Sequence, residues 1–139
     1  MEKIIIIGYS GHAFVVIDTL QQNMHEVIGY LDQSEKSFNP FCLEYMGSED
    51  DQGTIKRLKG YQFVVTIGNN RIRANVFSKM SGTGLIPINA IHPRANIGVN
   101  LNIGTGNMIM AAAIINSLSK IGNAVIINYG AIIEHECMI

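Results

Sequence analysis

Residues Glu134-His135-Glu136 set one imidazole between two carboxylates. An imidazole titrates near neutral pH, so it can take a proton from an amine or hydroxyl as that group attacks an acyl donor. A neighbouring carboxylate can orient the ring and stabilise its cation, and either Glu134 or Glu136 could serve. A second cluster is Gly8-Tyr9-Ser10-Gly11-His12, a glycine turn. If a helix begins there, its backbone N–H groups favour an anion such as a pyrophosphate, and the glycines permit close approach. The turn lacks the GxGxxG spacing of a dinucleotide site. Asp32 and Ile67-Gly68-Asn69-Asn70 end two further apolar runs. An acidic residue in the place of Asp32 often meets a sugar or base. Arg71 and Arg73 stand close by as possible phosphate partners, although a solvated helix face is the preferred reading for both.

The elements around the glycine turn alternate. "KIIIIG" is a short continuous apolar strand, Lys3 to Ile7, of the kind buried on both faces of a parallel sheet. "AFVVIDTLQQN" follows with Ala13, Val16, Ile17 and Leu20 at helical spacing. "EVIGYLD" and "QFVVTIGNN" are the second and third strands, and "RIRANVFSKMSG" is a helix stopped by glycine. Between them, residues 33 to 53 are polar and predict a loop, with "TIKRLKG" a short helix. This predicts a small βαβ unit with a parallel sheet, too short for a full dinucleotide fold.

From Ile91 the sequence changes character. Every sixth residue is isoleucine: Ile91, Ile97, Ile103, Ile109, Ile115, Ile121, Ile127, Ile133 and Ile139. A period of six fits short strands and cannot sit on a 3.6-residue helix. The fifth slot of each unit is mostly small, so it and the isoleucine can point inward together. The slot after the isoleucine is often Gly or Asn, which tolerate corners. Stacked turns of this kind form a parallel β-solenoid, stable because each coil covers its neighbour. Expected boundaries are 1–84 for the α/β unit, 85–90, "LIPINA", for a linker, and 91–139 for the solenoid.

Composition narrows the function classes. The chain has 139 residues, 47% hydrophobic, with a formal net charge of -1. It lacks the basic footprint of a nucleic-acid binder. Its apolar start is too short for a signal or spanning segment, which leaves a cytoplasmic location as the expectation. Cys42 and Cys137 lack CxxC spacing and predict reduced thiols, without zinc or disulfide.

The order "IGYSGHAFVV", "GYLD", "VVTIGNN", "IHPRA" and an isoleucine array ending "INYGAIIEHECMI" resembles the bacterial sugar acetyltransferases related to sialic acid O-acetyltransferases and UDP-bacillosamine-type N-acetyltransferases. The resemblance covers essentially the whole chain. It implies a Rossmann-like nucleotide-sugar-binding domain followed by a left-handed β-helix, a homotrimer, and an active site between subunits. It implies acetyl transfer from acetyl-CoA to an amino or hydroxyl group of a nucleotide-linked sugar, UDP-linked by expectation, with no metal. His135 would be the general base and Glu136 its carboxylate partner. Asn128 would help shape the acceptor pocket, and Ser10, Gly11, His12, Asp32 and Gly68 would hold the nucleotide-sugar. The residues contacting coenzyme A are not assigned.

Three hexapeptides make one triangular coil in that family, so residues 91–139 supply fewer than three coils. The chain is therefore expected to be a C-terminal truncation, lacking most coenzyme A contacts and poorly active alone. Two other readings stand beside the enzyme. One is a non-catalytic fragment that binds a nucleotide-sugar and trimerises. The other is a metal-dependent hydratase on the same solenoid, for which only His92 and His135, on distant turns, are available as imidazole ligands.

Overall fold

The structure, a computed structural model, describes residues 2–139; Met1, the first residue of the expected α/β unit, lies outside the described residues. The α/β unit runs β1 (Ile4–Ile7), α1 (Gly11–Gln22), β2 (Val27–Leu31), β3 (Glu44–Tyr45), α2 (Gln52–Arg57), β4 (Gln62–Val65), α3 (Asn70–Met80) and β5 (Ile86–Pro87). These strands form one parallel sheet in the order β3-β2-β1-β4-β5. The central strand β1 is buried on both faces because its side chains alternate. Ile4 and Ile6 join Val16, Ile17 and Leu20 of α1 on one side. Ile5 and Ile7 join Leu58, Met80 and Leu85 on the other, with Val76 and Phe77 of α3 against them. Helices on both faces are why a continuous apolar run, not an alternating one, encodes this strand.

Two segments differ from the sequence expectation. The polar stretch at 33–53 contains strand β3, which extends the sheet beyond β2. The expected linker at 85–90 supplies β5, an edge strand paired with β4, and Leu85 belongs to the sheet's core. The chain therefore passes from sheet to solenoid without a free connector.

The solenoid comprises β6 (Ala90–Ile91), β7 (Asn96–Ile97), β8 (Asn102–Ile103), β9 (Met108–Ile109), β10 (Ile114–Ile115), β11 (Lys120–Ile121), β12 (Ile126–Ile127) and β13 (Ile132–Ile133). They stack into three parallel faces, β12-β9-β6, β13-β10-β7 and β11-β8. This is a hexapeptide-repeat parallel β-helix. Its interior is the isoleucine ladder, with Ala95, Leu101, Ala113, Val125 and Ala131 of the fifth slot filling the remaining space.

The corners are built differently from the expectation. The left-handed backbone falls on the fourth slot, at Asn100, Gly106, Ala112, Leu118, Ala124, Gly130 and Glu136, with φ between 54° and 74°. The second-slot glycines do another job. A Cβ on Gly104 would lie 2.5 Å from the carbonyl oxygen of Gly122, one coil above. Glycine there allows close coil stacking, not a special φ.

Sheet and solenoid share a core. Ala90, Met108 and Met110 pack with α1 and the sheet, and Asn23 at the end of α1 donates to Ile91 O at 2.6 Å. Among the described residues no helix is long and apolar enough to cross a membrane.

Candidate functional site

The carboxyl ends of β1, β2 and β4 open into a crevice of about 410 Å³. Gly8, Ser10, Asp32, Lys36, Glu49 and Gly68 are among its lining residues. Open parallel sheets bind ligands at this edge because loops after neighbouring strands diverge there. Gly8 adopts φ +94°, and a Cβ on it would meet Ile67 Cγ1 at 2.6 Å, so only glycine fits this turn. Thr66 holds the turn from beneath, donating Oγ1–H to Gly8 O at 2.5 Å and lying 3.0 Å from Ile7 O.

Helix α1 begins at the crevice. The caps of α2 and α3 use side chains, with Asp51 accepting from Thr54 N–H and Asn69 from Ile72 N–H. Ser10 at the start of α1 makes no such bond. The first-turn N–H groups of α1 are thus left without a side-chain acceptor, next to the crevice, as an anion site requires. Asp32 lines the crevice beside this turn. Its carboxylate accepts Tyr9 N–H at 2.9 Å and Gln33 N–H at 2.7 Å, and Lys36 Nζ lies 3.5 Å away.

The structure brings Ser10, Asp32 and Gly68 to one crevice. Gly11 lines an adjoining groove of about 270 Å³ with Phe14, Lys36 and Phe38. His12 departs from the expectation. Its Nε2 lies 3.3 Å from Met108 Sδ, at the junction with the solenoid. One position past Gly11 on the helix, its side chain points to the face that packs against β9. Burial, and secondarily the Arg73 charge, lower its pKa below the ordinary value of 6.5.

Arg73 also departs from the expected solvated face; it is only 6% exposed. Its Nε–H donates to Ala124 O at 2.7 Å, and Nη1 to Ile67 O and Gly68 O, both at 3.0 Å. Nη2 donates to Asn70 Oδ1 at 2.6 Å. The guanidinium is therefore occupied by protein oxygens and links α3, the β4 loop and the solenoid. Arg71 is exposed. The cation at the crevice is Lys36, which sequence reading did not single out although it stands four residues after Asp32. Glu49 was likewise missed, because nothing in the run Glu49-Asp50-Asp51 marks the first as the buried one.

The imidazole of the second cluster lies on the third coil. His135 Nδ1 and Glu136 Oε2 are 2.8 Å apart, and both side chains are about two-thirds exposed. Glu134 turns elsewhere, accepting from Asn116 Nδ2 at 3.3 Å, so Glu136 is the partner. With Nδ1–H donated to the carboxylate, Nε2 is the free base position. Asn128 is exposed at the preceding corner of the same coil, directly after β12, where its Oδ1 accepts Tyr129 N–H at 2.9 Å. No solenoid residue lines the crevice, so within one chain the two centres are separate.

A family model described as the PglD N-terminal domain matches residues 3–80. A histidine-to-asparagine variant of perosamine N-acetyltransferase from Caulobacter crescentus, in complex with CoA and GDP-perosamine, superposes with a TM-score of 0.90 at 30% identity over 99% of this chain and 65% of that one. PerB from the same organism, with the same two ligands, gives 0.88 at 31% identity, again over 99% and 65%. The acetyltransferase domain of PglB from Neisseria gonorrhoeae shares the fold, with a TM-score of 0.85 at 24% identity over 99% of this chain and 67% of that one. This chain spans about 65% of the length of the perosamine enzymes it matches. With more than half of its residues inside the family model, the chain belongs to the PglD N-terminal domain family.

Proposed function

We propose that this chain binds a nucleotide-linked sugar and supplies the general base for its acetylation by acetyl-CoA. The observation that carries the reading is the presence, in one continuous fold, of a sheet-edge crevice with an uncapped helix start and a carboxylate-paired imidazole on a hexapeptide solenoid. The likeness to a sugar N-acetyltransferase over 99% of the chain supports it. Ser10, Gly11 and the first turn of α1 hold the diphosphate, aided by Lys36, while Asp32 faces the ribose or base. Gly68 leaves room at the β4 edge, and Asn128 shapes the acceptor pocket. His12 supports the turn from behind.

In the reaction, the acceptor nitrogen or oxygen attacks the thioester carbonyl as His135 Nε2 takes its proton. Glu136 stabilises the resulting imidazolium, backbone N–H groups steady the oxyanion, and the coenzyme A thiolate leaves. Because crevice and imidazole lie apart in one chain, the active centre forms between copies in a homotrimer. The α/β unit runs through β5 and the solenoid begins at β6, and the compartment is the cytoplasm.

The test is release of coenzyme A thiol from acetyl-CoA with a panel of UDP- and GDP-linked amino and deoxy sugars. His135→Ala is expected to lower turnover by about 10²- to 10⁴-fold while leaving sugar-induced thermal stabilisation intact. Undiminished turnover in that variant refutes the base assignment. Sugar binding without turnover in the wild-type protein favours the non-catalytic reading.

A further inference from the structure

Polar side chains in the fifth slot clamp particular corners of the solenoid to the coil above. Asn89 donates Nδ2–H to Gly104 O at 2.9 Å and accepts Asn107 N–H on Oδ1 at 2.8 Å. Asn107 repeats the arrangement one coil on, donating to Gly122 O and accepting Val125 N–H, both at 2.8 Å. Ser119 does the same with a single hydroxyl. It donates to Glu134 O at 2.7 Å and accepts Cys137 N–H at 3.1 Å. In every case the clamp spans a carbonyl fifteen residues ahead and an N–H eighteen ahead. Asn89 and Asn107 form one column. Ser119 stands alone in the next, between Leu101 beneath and Cys137 above.

The corner that Ser119 holds, Glu134 to Cys137, is the one carrying His135. The hydroxyl is fully buried, so no solvent can replace it if it is removed. Its two bonds use both donor and acceptor, which fixes the corner's carbonyl and N–H together. Glu136 N–H also donates to Ser117 O at 3.2 Å, and Glu136 sits in the left-handed region at φ 58°. The His135 and Glu136 side chains are 70% and 68% exposed, so packing does little to orient them. Their 2.8 Å contact follows from the backbone of this corner.

We propose that Ser119 is a positioning residue that sets the tautomer and aim of His135 through that backbone; this rests on His135 being the base. Nδ1–H of His135 donates to Glu136 only while the corner keeps its left-handed residue in place. When the clamp is lost, the Nε2–H form gains and the base position is protonated in the resting protein.

The experiment is ¹⁵N NMR of the histidine side chains in the wild-type chain and in Ser119→Ala, Ser119→Asn and Asn107→Ala, with His135→Ala used to assign the signal. Turnover is measured in parallel. Ser119→Ala is expected to convert the His135 signal from Nδ1–H toward Nε2–H and to lower kcat about 10- to 100-fold, with KM nearly unchanged. Ser119→Asn, which restores the donor and acceptor pair used in the neighbouring column, is expected to recover both. Asn107→Ala is expected to lower Tm without moving either. A Ser119→Ala protein with lowered Tm but an unchanged His135 signal overturns the proposal, as does an equal tautomer change in Asn107→Ala. Should Ser119→Ala fail to fold, Ser119→Cys keeps the shape with a much weaker hydrogen-bonding group and is read the same way. A tautomer change accompanied by undiminished turnover in His135→Ala removes the base, and the catalytic meaning of the clamp falls with it.

Discussion

Replacing Arg73 should cost far more than an average helix substitution, and the structure indicates how much. The side chain is 6% exposed and gives hydrogen bonds to three backbone carbonyls and one amide. Gly68 is exposed and Ile67 half-buried, so water can reach their carbonyls once the guanidinium is gone. Ala124 is buried, and its carbonyl loses a partner at 2.7 Å that water cannot easily replace. That group alone accounts for about 1–3 kcal/mol. Loss of the buried stem adds about 1–2 kcal/mol, and release from burying a charge offsets part of the total. The expected net for Arg73→Ala is about 2–4 kcal/mol, or roughly 8–15 °C in Tm for a chain of this size. Arg73→Lys should recover little, because one ammonium cannot reach carbonyls in three directions. The same change should uncouple the two halves, because Arg73 ties α3 and the β4 loop to the Ala124 corner. Urea unfolding followed at probes in the sheet and in the solenoid would then show two midpoints in place of one. A shift below about 0.5 kcal/mol, the size of an ordinary surface substitution, or full rescue by lysine, would refute the clamp.

The remaining expectations concern His12 and the glycines. Burial and Arg73 hold His12 below its ordinary value of 6.5, so below that pH the unfolded chain binds a proton that the folded chain does not. Stability should therefore fall as pH drops below about 6.5, down to the lowered folded value, and His12→Gln should flatten Tm against pH in that window. An unchanged profile would show that the imidazole is not held neutral. Gly104→Ala should destabilise by about 1–3 kcal/mol, because its Cβ would meet the Gly122 carbonyl at 2.5 Å. Gly68→Ala, with open space around the Cβ, should stay within about 0.5 kcal/mol. Equal Tm losses in the two variants would contradict the stacking account.

The isoleucine ladder was legible because inward positions of a solenoid repeat with its coils, so the period survives in one-dimensional text. The corners were not. Their left-handed residues are Asn, Gly, Ala, Leu, Ala, Gly and Glu in turn, because bonds to adjacent coils outweigh a local cost of about 1–2 kcal/mol at each non-glycine position. Glycine, the usual sign of such a conformation, stands at only two of these corners, Gly106 and Gly130, and at Gly104 marks a close contact instead. The same division runs through the site. The turn at Gly8 could be read from residue types alone, since its backbone admits only glycine. Two residues apart in "RIRA", Arg71 and Arg73 look alike, and their fates differ only because the solenoid folds back over one of them. His12 lies one residue beyond a correctly placed turn yet faces the opposite way, for the same reason.

The fates of Arg73 and His12 have one physical source, the packing of the first two coils against the sheet. Met108 and Met110 enter the α1 core, Met108 receives His12, and the Ala124 corner receives Arg73. Local pattern specifies each half, while the contacts between them are long-range and leave no periodic trace. The His135 corner differs in kind. Its imidazole and carboxylate are adjacent in sequence, so their pairing could be anticipated. The residue pattern alone left Glu134 and Glu136 open, and only the family resemblance pointed to Glu136, because the choice depends on which of them occupies the left-handed fourth slot and on the Asn116 amide that draws the other away.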